Sequence, residues 1–369
     1  MAEFIKGMEL SEGFFQEIAE PLLEKRYPGL PFSAGLVGFG SDVLGYDDPV
    51  SSDHMWGPRF YLFLKPEDSG KKAEIMEMFS RELPPVYRGF SVNFSQPDPN
   101  DHGVRHAVYV SGGRISPLIF PYTETEYLQE YLGYSQPELM TELDWLSLSE
   151  HKLLALTCGK FFRDDLGIGE HWKALEYYPE SVRLYLIASN WSLAAEEQAF
   201  VRRCADVGDE AGSVLACGRI AERLMRLAFL YCRRYAPYSK WFGTAFSGLP
   251  VDSRLKEQIR LALTAPDIRS REEHLVEAQR LTAVLHNEQA ITEPVSTAVE
   301  KYFNRDIRVI WADRAAAAVQ RKLQGTVFEK MPLVGTLSEV ANFTAVTDHP
   351  EYRTGIRAFY EALINEKER

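Results

Sequence analysis

FSAGLVGFGS over residues 32–41 and MWGPRFYLFL over residues 55–64 predict two buried strands that are separated by one loop. Short apolar runs next to glycines are typical of strands that lead into tight turns. Apolar residues at helical spacing lie on both sides, over residues 11–25 and 71–83. Helix and strand therefore alternate in the first third of the chain, as they do in α/β and α+β domains.

Two more strands are predicted over residues 90–94 and 107–110, and beyond Pro121 helical patterns prevail. The predicted helices there cover residues 149–162, 182–207, 212–235, 252–263, 271–287, 293–303, 312–323 and 352–366. We therefore predict an α+β fold, in which residues 1–130 form a mixed sheet with helices. Residues 131–369 are predicted to form an all-α helical bundle.

Composition and charge restrict the kinds of partner. The 369 residues contain 41 Lys and Arg against 53 Asp and Glu, a net charge of −12. This acidic balance argues against general binding to nucleic acid or to an anionic membrane. The chain contains no apolar run long enough to span a bilayer and no basic, then apolar, N-terminal leader. We expect a cytoplasmic protein whose four cysteines are free thiols.

The loop between the first two strands contains residue types that bind phosphate and metal. Gly40 lets the backbone approach a phosphate closely, and the Ser41 hydroxyl with neighbouring N–H groups can bind phosphate oxygens. Asp53, before the second strand, is predicted to hold a Mg²⁺ ion that bridges such phosphates. The alternatives are a plain turn with a capping serine, and an Asp53 that pairs with Arg59. The pattern favours phosphoryl or nucleotidyl transfer.

The segment from Gly40 to Arg59 resembles the signature of the nucleotidyltransferase superfamily, in which Gly-Ser is followed by a loop and then Asp-x-Asp or Asp-x-Glu. Together with GDEAGS at 208–213 and PYSKWF at 237–242, it resembles a bacterial nucleotidyltransferase-like family of unassigned function. The resemblance implies a small mixed nucleotidyltransferase sheet followed by a C-terminal helical domain. It also implies a nucleoside triphosphate substrate, Mg²⁺ as cofactor, and transfer of a nucleotide to a hydroxyl or amine of a small molecule or protein.

One position departs from that signature. Active members carry a second carboxylate two residues after the first, on the same face of the strand. Here this residue is Met55, whose thioether does not bind the hard Mg²⁺ cation. No carboxylate occurs on the predicted later strands, and Asp42, Asp47 and Asp48 could substitute only if the loop folds back onto the metal. Because nucleotidyl transfer normally uses two acids, the resemblance indicates the fold more strongly than the activity.

A second group of candidate residues lies where the helical part is most basic. Between Val201 and Lys240 there are eight Lys and Arg against four Asp and Glu. Arg219, Arg223 and Arg226 recur at helical spacing and are predicted to share one helix face. That face could bind a triphosphate, or it could be a solvated face whose arginines pair with acids of the first domain. The pattern leaves both alternatives open.

Residues on either side of this helix are further candidates. Asp209 and Glu210 precede the helix, where acids commonly act as N-terminal caps. The resemblance offers the alternative that one of them is a general base for the acceptor. Lys240 could contact phosphate, with Tyr238 or Trp241 stacking on a base, although plain aromatic packing explains the same residues.

The sequence thus predicts a nucleotidyltransferase-like protein that binds a nucleoside triphosphate and an unidentified acceptor. The predicted catalytic residues are Asp53, which is also the metal ligand, Asp209 and Glu210; the predicted nucleotide-binding residues are Gly40, Ser41, Arg59, Arg219, Arg223 and Lys240. The alternative is a catalytically lost member of the fold that acts as a nucleotide- or protein-binding module. A third possibility is an antitoxin-like interaction protein, which would not need the basic residues.

Overall fold

The computed structural model describes residues 3–52, 55–101, 103–341 and 343–365. Within them the protein is mixed helix and strand, with one small mixed sheet and a large share of helix. The chain forms two compact units: Met1–Leu139 with Lys152–Glu176, and Met140–His151 with Tyr177–Arg369. The division into domains at residue 130 stays a prediction, and residues 131–139 and Lys152–Glu176 belong to the first compact unit.

The helices and strands follow one another along the chain with these bounds. The strands are β1 (Phe32–Leu36), β2 (Arg59–Leu64), β3 (Val86–Tyr87), β4 (Phe90–Ser91), β5 (Leu118–Tyr122), β6 (Lys160–Asp164), β7 (Glu300–Lys301) and β8 (Arg308–Val309). The helices are α1 (Gly7–Phe14), α2 (Glu20–Arg26), α3 (Lys72–Glu82), α4 (Glu124–Leu132), α5 (Glu142–Leu146), α6 (Glu150–Thr157), α7 (Ile168–His171), α8 (Glu180–Glu197), α9 (Phe200–Asp206), α10 (Glu210–Tyr231), α11 (Ser239–Ser247), α12 (Ser253–Leu263), α13 (Ile268–Glu288), α14 (Asp313–Gln320), α15 (Leu337–Val340), α16 (Thr344–Thr347) and α17 (Arg353–Asn365). A π-helical segment, Phe15–Ala19, joins α1 to α2.

The four-stranded sheet of the first unit has the strand order β5-β2-β1-β6. β1 is antiparallel to β2 and to β6, whereas β5 runs parallel to β2. Ala34 lies opposite Leu62, so the chain that leaves the end of β1 lies beside Arg59 at the start of β2. The sheet therefore brings the glycine-rich turn after β1 close to the first residue of β2.

The two faces of β2 bury different kinds of side chain because alternate residues of a strand point to opposite faces. Phe60 and Leu62 belong to the apolar core that also contains residues of α1 and α3. Tyr61 and Phe63 lie on the opposite face, where their ring centroids are 4.9 and 5.3 Å from that of Tyr127 on α4. One face of the sheet is thus covered by an aliphatic and phenylalanine core, and the other by a cluster of aromatic rings.

The fourth strand, β6, lies in a region that the apolar pattern predicts to be helical over residues 149–162. In the structure the helix ends at Thr157 and β6 pairs with β1. Gly35 on β1 permits this pairing, since a Cβ atom there would lie 2.5 Å from the carbonyl oxygen of Lys160. Because Gly35 has no side chain, β6 can pair closely with β1. The helical periodicity of residues 149–162 does not predict this pairing.

The second unit is mainly helical. α10 packs against α8, α9, α12 and α13, and its buried positions include Ile220, Leu224 and Leu227 at helical spacing. This unit also contains a short antiparallel pair of strands, β7 and β8. Among the residues that the structure describes, no helix is both long and apolar enough to cross a bilayer.

Two segments lack the helix or strand predicted for them, because side chains form hydrogen bonds with their backbone groups. Residues 293–303 do not form the predicted helix, since Asn287 accepts from the backbone N–H of Val295 and donates to its carbonyl, both at 2.9 Å. Residues 107–110 do not form the predicted strand. There the side chains of Ser91 and Asn93 both donate to the carbonyl of Val108, at 3.0 Å. In both segments, hydrogen bonds between side chains and backbone groups occur where a regular helix or strand was expected.

Candidate functional site

The turn that follows β1 is shaped by glycines in left-handed conformations. Gly38 has a φ of 82° and Gly40 a φ of 122°, values that favour glycine over other residues. A Cβ atom at Gly40 would lie 2.1 Å from Oδ1 of Asp42 and 2.3 Å from Nη2 of Arg59. Glycine is therefore required at position 40 both by the backbone conformation and by the close approach of these two side chains.

Beneath this turn, Arg59 and Asp42 form a buried ion pair. Nε and Nη2 of Arg59 donate to the two carboxylate oxygens of Asp42 at 3.1 and 2.7 Å, and Nη2 also donates to the carbonyl of Phe39 at 2.8 Å. The two residues are 1% and 3% exposed. Arg59, a predicted nucleotide-binding residue, thus lies in the interior with Asp42 as its partner, and it holds the turn from below.

The backbone carbonyls of Gly40 and Ser41 accept hydrogen bonds, whereas the described residues offer no acceptor to the first N–H groups of the turn. The carbonyls of Gly40 and Ser41 accept from the N–H groups of Leu44 and Tyr46, at 3.4 and 2.8 Å. Among the residues that the structure describes, no acceptor is found for the N–H groups of Gly40, Ser41 and Asp42. Successive free N–H groups in a turn form a concavity that binds anions. Gly40 and Ser41 are half-buried, so this concavity is open to solvent in part.

The acidic residues of the loop are engaged in holding its shape. Asp47 is 1% exposed, accepts from the indole N–H of Trp56 at 3.1 Å and pairs with Lys6 at 3.3 Å. Asp48 accepts from the backbone N–H of Ser51 at 2.7 Å, and this hydrogen bond lowers the pKa of Asp48. Within the described part of the chain, no three His, Cys, Asp or Glu side chains are grouped so that they could hold a metal ion.

The predicted metal ligand, Asp53, lies outside the described residues, together with His54. The neighbouring residues show where the second strand begins. The apolar pattern predicts a strand from Met55, but β2 begins at Arg59. Met55 has a φ of 49° and Gly57 a φ of 149°, so residues 55–58 form an irregular entry to the strand. The residue at the position of the second carboxylate of the signature therefore precedes the sheet.

The two acids at the start of α10 are each engaged in a structural contact. The Asp209 carboxylate accepts from the backbone N–H of Gly212 at 2.8 Å and thereby caps the helix. Glu210 pairs with Arg271, whose Nη1 lies 2.6 Å from the carboxylate. Of the alternatives left open for Asp209, the capping geometry is the one visible in the structure; a role as general base stays a prediction.

Two of the three candidate arginines of α10, Arg219 and Arg226, pair with acids of the second unit. Nε of Arg219 donates to both carboxylate oxygens of Glu197 at 2.8 Å. Arg223 is half-buried; burial lowers its pKa, and its Nη1 has no hydrogen-bond partner among the described residues. Arg219 pairs with a carboxylate, as the solvated-face alternative expects, but its partner Glu197 lies in the second unit. Arg226, on the same predicted face, is only 5% exposed, so this face is not solvated along its whole length.

Lys240 is exposed at the start of α11. Its Nζ lies 4.9 Å from the ring centroid of Trp241, and the Trp241 indole donates to the hydroxyl of Tyr238 at 2.9 Å. The two aromatic residues therefore bond to each other, and the lysine ammonium lies over one of their rings. This arrangement matches the packing alternative, and a phosphate contact of Lys240 stays a prediction.

A buried ionic cluster in the second unit was not predicted from the sequence. Nη1 of Arg226 lies 3.2 Å from Glu150 and 3.9 Å from Glu339, and its Nε donates to Glu222 at 3.0 Å. The Glu150 side chain also accepts from the backbone N–H of Ala236 at 3.0 Å. The helical spacing of Arg226 was visible in the sequence, but nothing local connects it to residues 150 and 339.

Part of the chain matches a known family model. Residues 145–242 match a family described as a domain of unknown function (DUF4037). A crystal structure of a nucleotidyltransferase-like protein from Exiguobacterium sibiricum 255-15 aligns over 82% of this chain and 97% of its own length, with a TM-score of 0.31 and 9% sequence identity. No curated protein matches the chain. A TM-score of this size does not establish a common fold, so the nucleotidyltransferase fold stays a prediction.

Proposed function

We propose that this protein is a nucleotide-binding module of the nucleotidyltransferase-like type, which binds the polyphosphate of a nucleoside triphosphate at Gly40, Ser41 and Asp42. The observation that carries the proposal is the set of three consecutive backbone N–H groups for which no acceptor is found among the described residues. Donors that are already oriented bind an anion without the cost of ordering the loop. Residues 40–42 are called the phosphate turn below.

The buried pair beneath the phosphate turn supports this role. Arg59 and Asp42 contact each other through two hydrogen bonds, and Gly40 lies directly against them. Side chains that are packed in this way keep the backbone donors in one arrangement. The positive charge of Arg59 is balanced by Asp42, so the proposed attraction for phosphate comes from the backbone dipoles and not from a free side-chain cation.

The residue types around the turn favour binding over nucleotide transfer. Met55 replaces the second carboxylate of the signature, and β2 and β5 carry no Asp or Glu. Asp42 and Asp47, which could substitute, already bond to Arg59 and Trp56. Asp53 remains the residue proposed to hold the Mg²⁺ ion that accompanies a triphosphate, and one carboxylate is fewer than two-metal transfer requires.

The test is calorimetric titration with ATP, GTP, CTP and UTP, each with and without Mg²⁺, together with an assay for pyrophosphate release. Ser41→Asp places a negative charge at the phosphate turn and should weaken nucleotide binding at least tenfold. Ser111→Asp adds the same charge at an exposed serine of the first unit and should leave binding unchanged.

The outcomes separate the alternatives. Nucleotide binding that Ser41→Asp weakens and Ser111→Asp does not, without pyrophosphate release, supports the binding module. Steady pyrophosphate release with an acceptor would show instead that the protein is an active transferase. Absence of binding to all four nucleotides, with and without Mg²⁺, would contradict the proposal and favour a protein partner.

A further inference from the structure

Phe39, the residue before the phosphate turn, presents an aromatic ring that is held in place from the interior. The guanidinium carbon of Arg59 lies 4.4 Å from the centroid of the Phe39 ring. The rings of Tyr61 and Phe120 meet it nearly perpendicularly, at centroid distances of 6.5 and 6.4 Å. Even so, Phe39 is 37% exposed. A large aromatic ring is thus fixed in orientation and still partly open to solvent.

We propose that Phe39 stacks on the base of the nucleotide whose phosphates bind at the phosphate turn; this inference rests on the function proposed above. A nucleotide carries its base and its phosphates on either side of a single ribose. Phe39 directly precedes Gly40, so its ring is within reach of the base when the phosphates contact the turn. Stacking on an aromatic side chain is a general means of binding bases without reading their hydrogen-bonding edges.

The surroundings of the ring indicate the expected specificity. The ring neighbours are Tyr61 and Phe120, and the guanidinium behind the ring is already bonded to Asp42. An aromatic ring without hydrogen-bonding groups stacks on the π face of any base, and it stacks more strongly on a larger π system. Phe39 is therefore expected to favour purine over pyrimidine nucleotides while discriminating little between adenine and guanine.

The fixed orientation of the ring also favours this role over a purely structural one. Arg59 is one of the largest fully buried side chains, and its guanidinium donates two hydrogen bonds to Asp42. A ring that is already oriented by such a cation loses little conformational freedom when a base stacks on it. The packing of the Phe39 ring on Arg59 therefore orients its aromatic face before a planar ligand binds.

The experiment compares ATP, CTP and inorganic tripolyphosphate by calorimetric titration of the full chain. Phe39→Leu keeps an apolar side chain and removes the aromatic face, and it should weaken ATP binding about tenfold while leaving tripolyphosphate binding unchanged. The preference for ATP over CTP should shrink in the same variant. Tyr109→Leu, which removes an aromatic residue that is 62% exposed elsewhere in the first unit, is the matched control.

A second variant gives a direct spectroscopic signal. Phe39→Trp enlarges the aromatic surface, so purine binding should tighten and the emission of the new tryptophan should be quenched by ATP but not by tripolyphosphate. This variant also keeps the test valid if Phe39→Leu fails to fold.

The possible failures are distinguishable. Equal binding of ATP and tripolyphosphate by the wild type and by both Phe39 variants would overturn base stacking and leave the phosphate turn standing. Loss of tripolyphosphate binding in Phe39→Leu would show that the ring only supports the turn, which also overturns the inference. Absence of tripolyphosphate and nucleotide binding in the wild type would overturn the proposed function itself.

Discussion

Arg59 and Asp42 bring two opposite charges into the interior of the first unit. Their side chains are 1% and 2% exposed, and they contact each other through two hydrogen bonds. Removing either charge from water costs several kcal/mol, which the forked contact between guanidinium and carboxylate largely offsets. Because Gly40 rests on this pair, the pair determines the shape of the phosphate turn as well as the stability of the strands beside it.

Asp42→Ala is expected to destabilise the first unit by about 3–5 kcal/mol, because it leaves the Arg59 guanidinium buried without its partner. Amide hydrogen exchange in urea, followed for peptides from β1 and β2, measures this loss in the unit concerned. Asp42→Asn, which keeps an acceptor oxygen, should lose less.

The control for this prediction is an exposed pair in the same unit. Glu12 and Lys160 lie 2.7 Å apart, with Lys160 half exposed. Glu12→Ala should cost less than about 1 kcal/mol because solvent screens such pairs. Equal losses in Asp42→Ala and Glu12→Ala would show that the buried pair does not carry the stability assigned to it.

At the scale of elements, the start of α10 shows how one side chain can satisfy a fold requirement and resemble a catalytic group. A helix leaves its first N–H groups without partners, and Asp209 accepts from one of them at 2.8 Å. Gly208 precedes it with a φ of 78°, a conformation that favours glycine. The GDEAGS segment that carries part of the family resemblance is therefore also an efficient helix start.

Asp209→Ala is expected to destabilise α10 by about 1 kcal/mol, because it removes the cap, whereas Asp209→Ser should retain most of the stability. Hydrogen exchange of the first turn of α10 measures both effects. If Asp209 were the general base of a transfer reaction, Asp209→Ser would abolish transfer while the helix remained intact. The pair of variants therefore separates the capping role from the catalytic one.

At the scale of the whole molecule, contacts between distant parts of the sequence build the ionic cluster around Arg226. Glu150, Arg226 and Glu339 belong to α6, α10 and α15. Burial raises the pKa of Glu150 to about 7, although the charge of Arg226 acts to lower it. Burial also acts to raise the pKa of Glu339, but Arg226 and the Thr336 hydrogen bond outweigh it and lower that pKa. One carboxyl of this pair therefore keeps a proton into the neutral range.

The raised pKa of Glu150 predicts a pH-dependent stability. Its protonated form is favoured in the folded state, so its contribution is fully present below pH 4.5 and is lost as the pH rises through about 7. The integrated effect is about 3 kcal/mol. Glu150→Gln mimics the protonated form and should gain stability relative to the wild type between pH 5 and pH 8.

Measuring the difference between the two proteins isolates this contribution. Glu339, whose pKa is lowered, loses its stabilising contribution as the pH falls below 4.5, outside that window. Burial lowers the pKa of His286 to about 4, so its contribution is lost as the pH falls, and it cancels in the difference. A difference in urea midpoint that stays constant from pH 5 to pH 8 would contradict the assignment to Glu150.

Much of the secondary structure could be predicted because it follows from local patterns. Apolar spacing predicted α10, α12 and α13, and the glycine after a short apolar run predicted the turn at the end of β1. The start of β2 and the existence of β6 could not be predicted in this way. They depend on Gly57 and Gly35, whose conformation and close contacts involve residues that are distant in sequence.

The candidate site also combines features that single residues predict with contacts that only the folded chain forms. Residue types alone predicted a glycine turn beside a strand, because backbone freedom and hydrogen-bonding groups belong to single residues. The sequence could not show that Arg59 pairs with Asp42 or that Glu150 pairs with Arg226. Nor could it show that the N–H groups of the phosphate turn have no acceptor among the residues that the structure describes. Those facts depend on which polar groups face each other after folding. A buried charge takes the partner that the chain packs against it, and only the tertiary structure determines that partner.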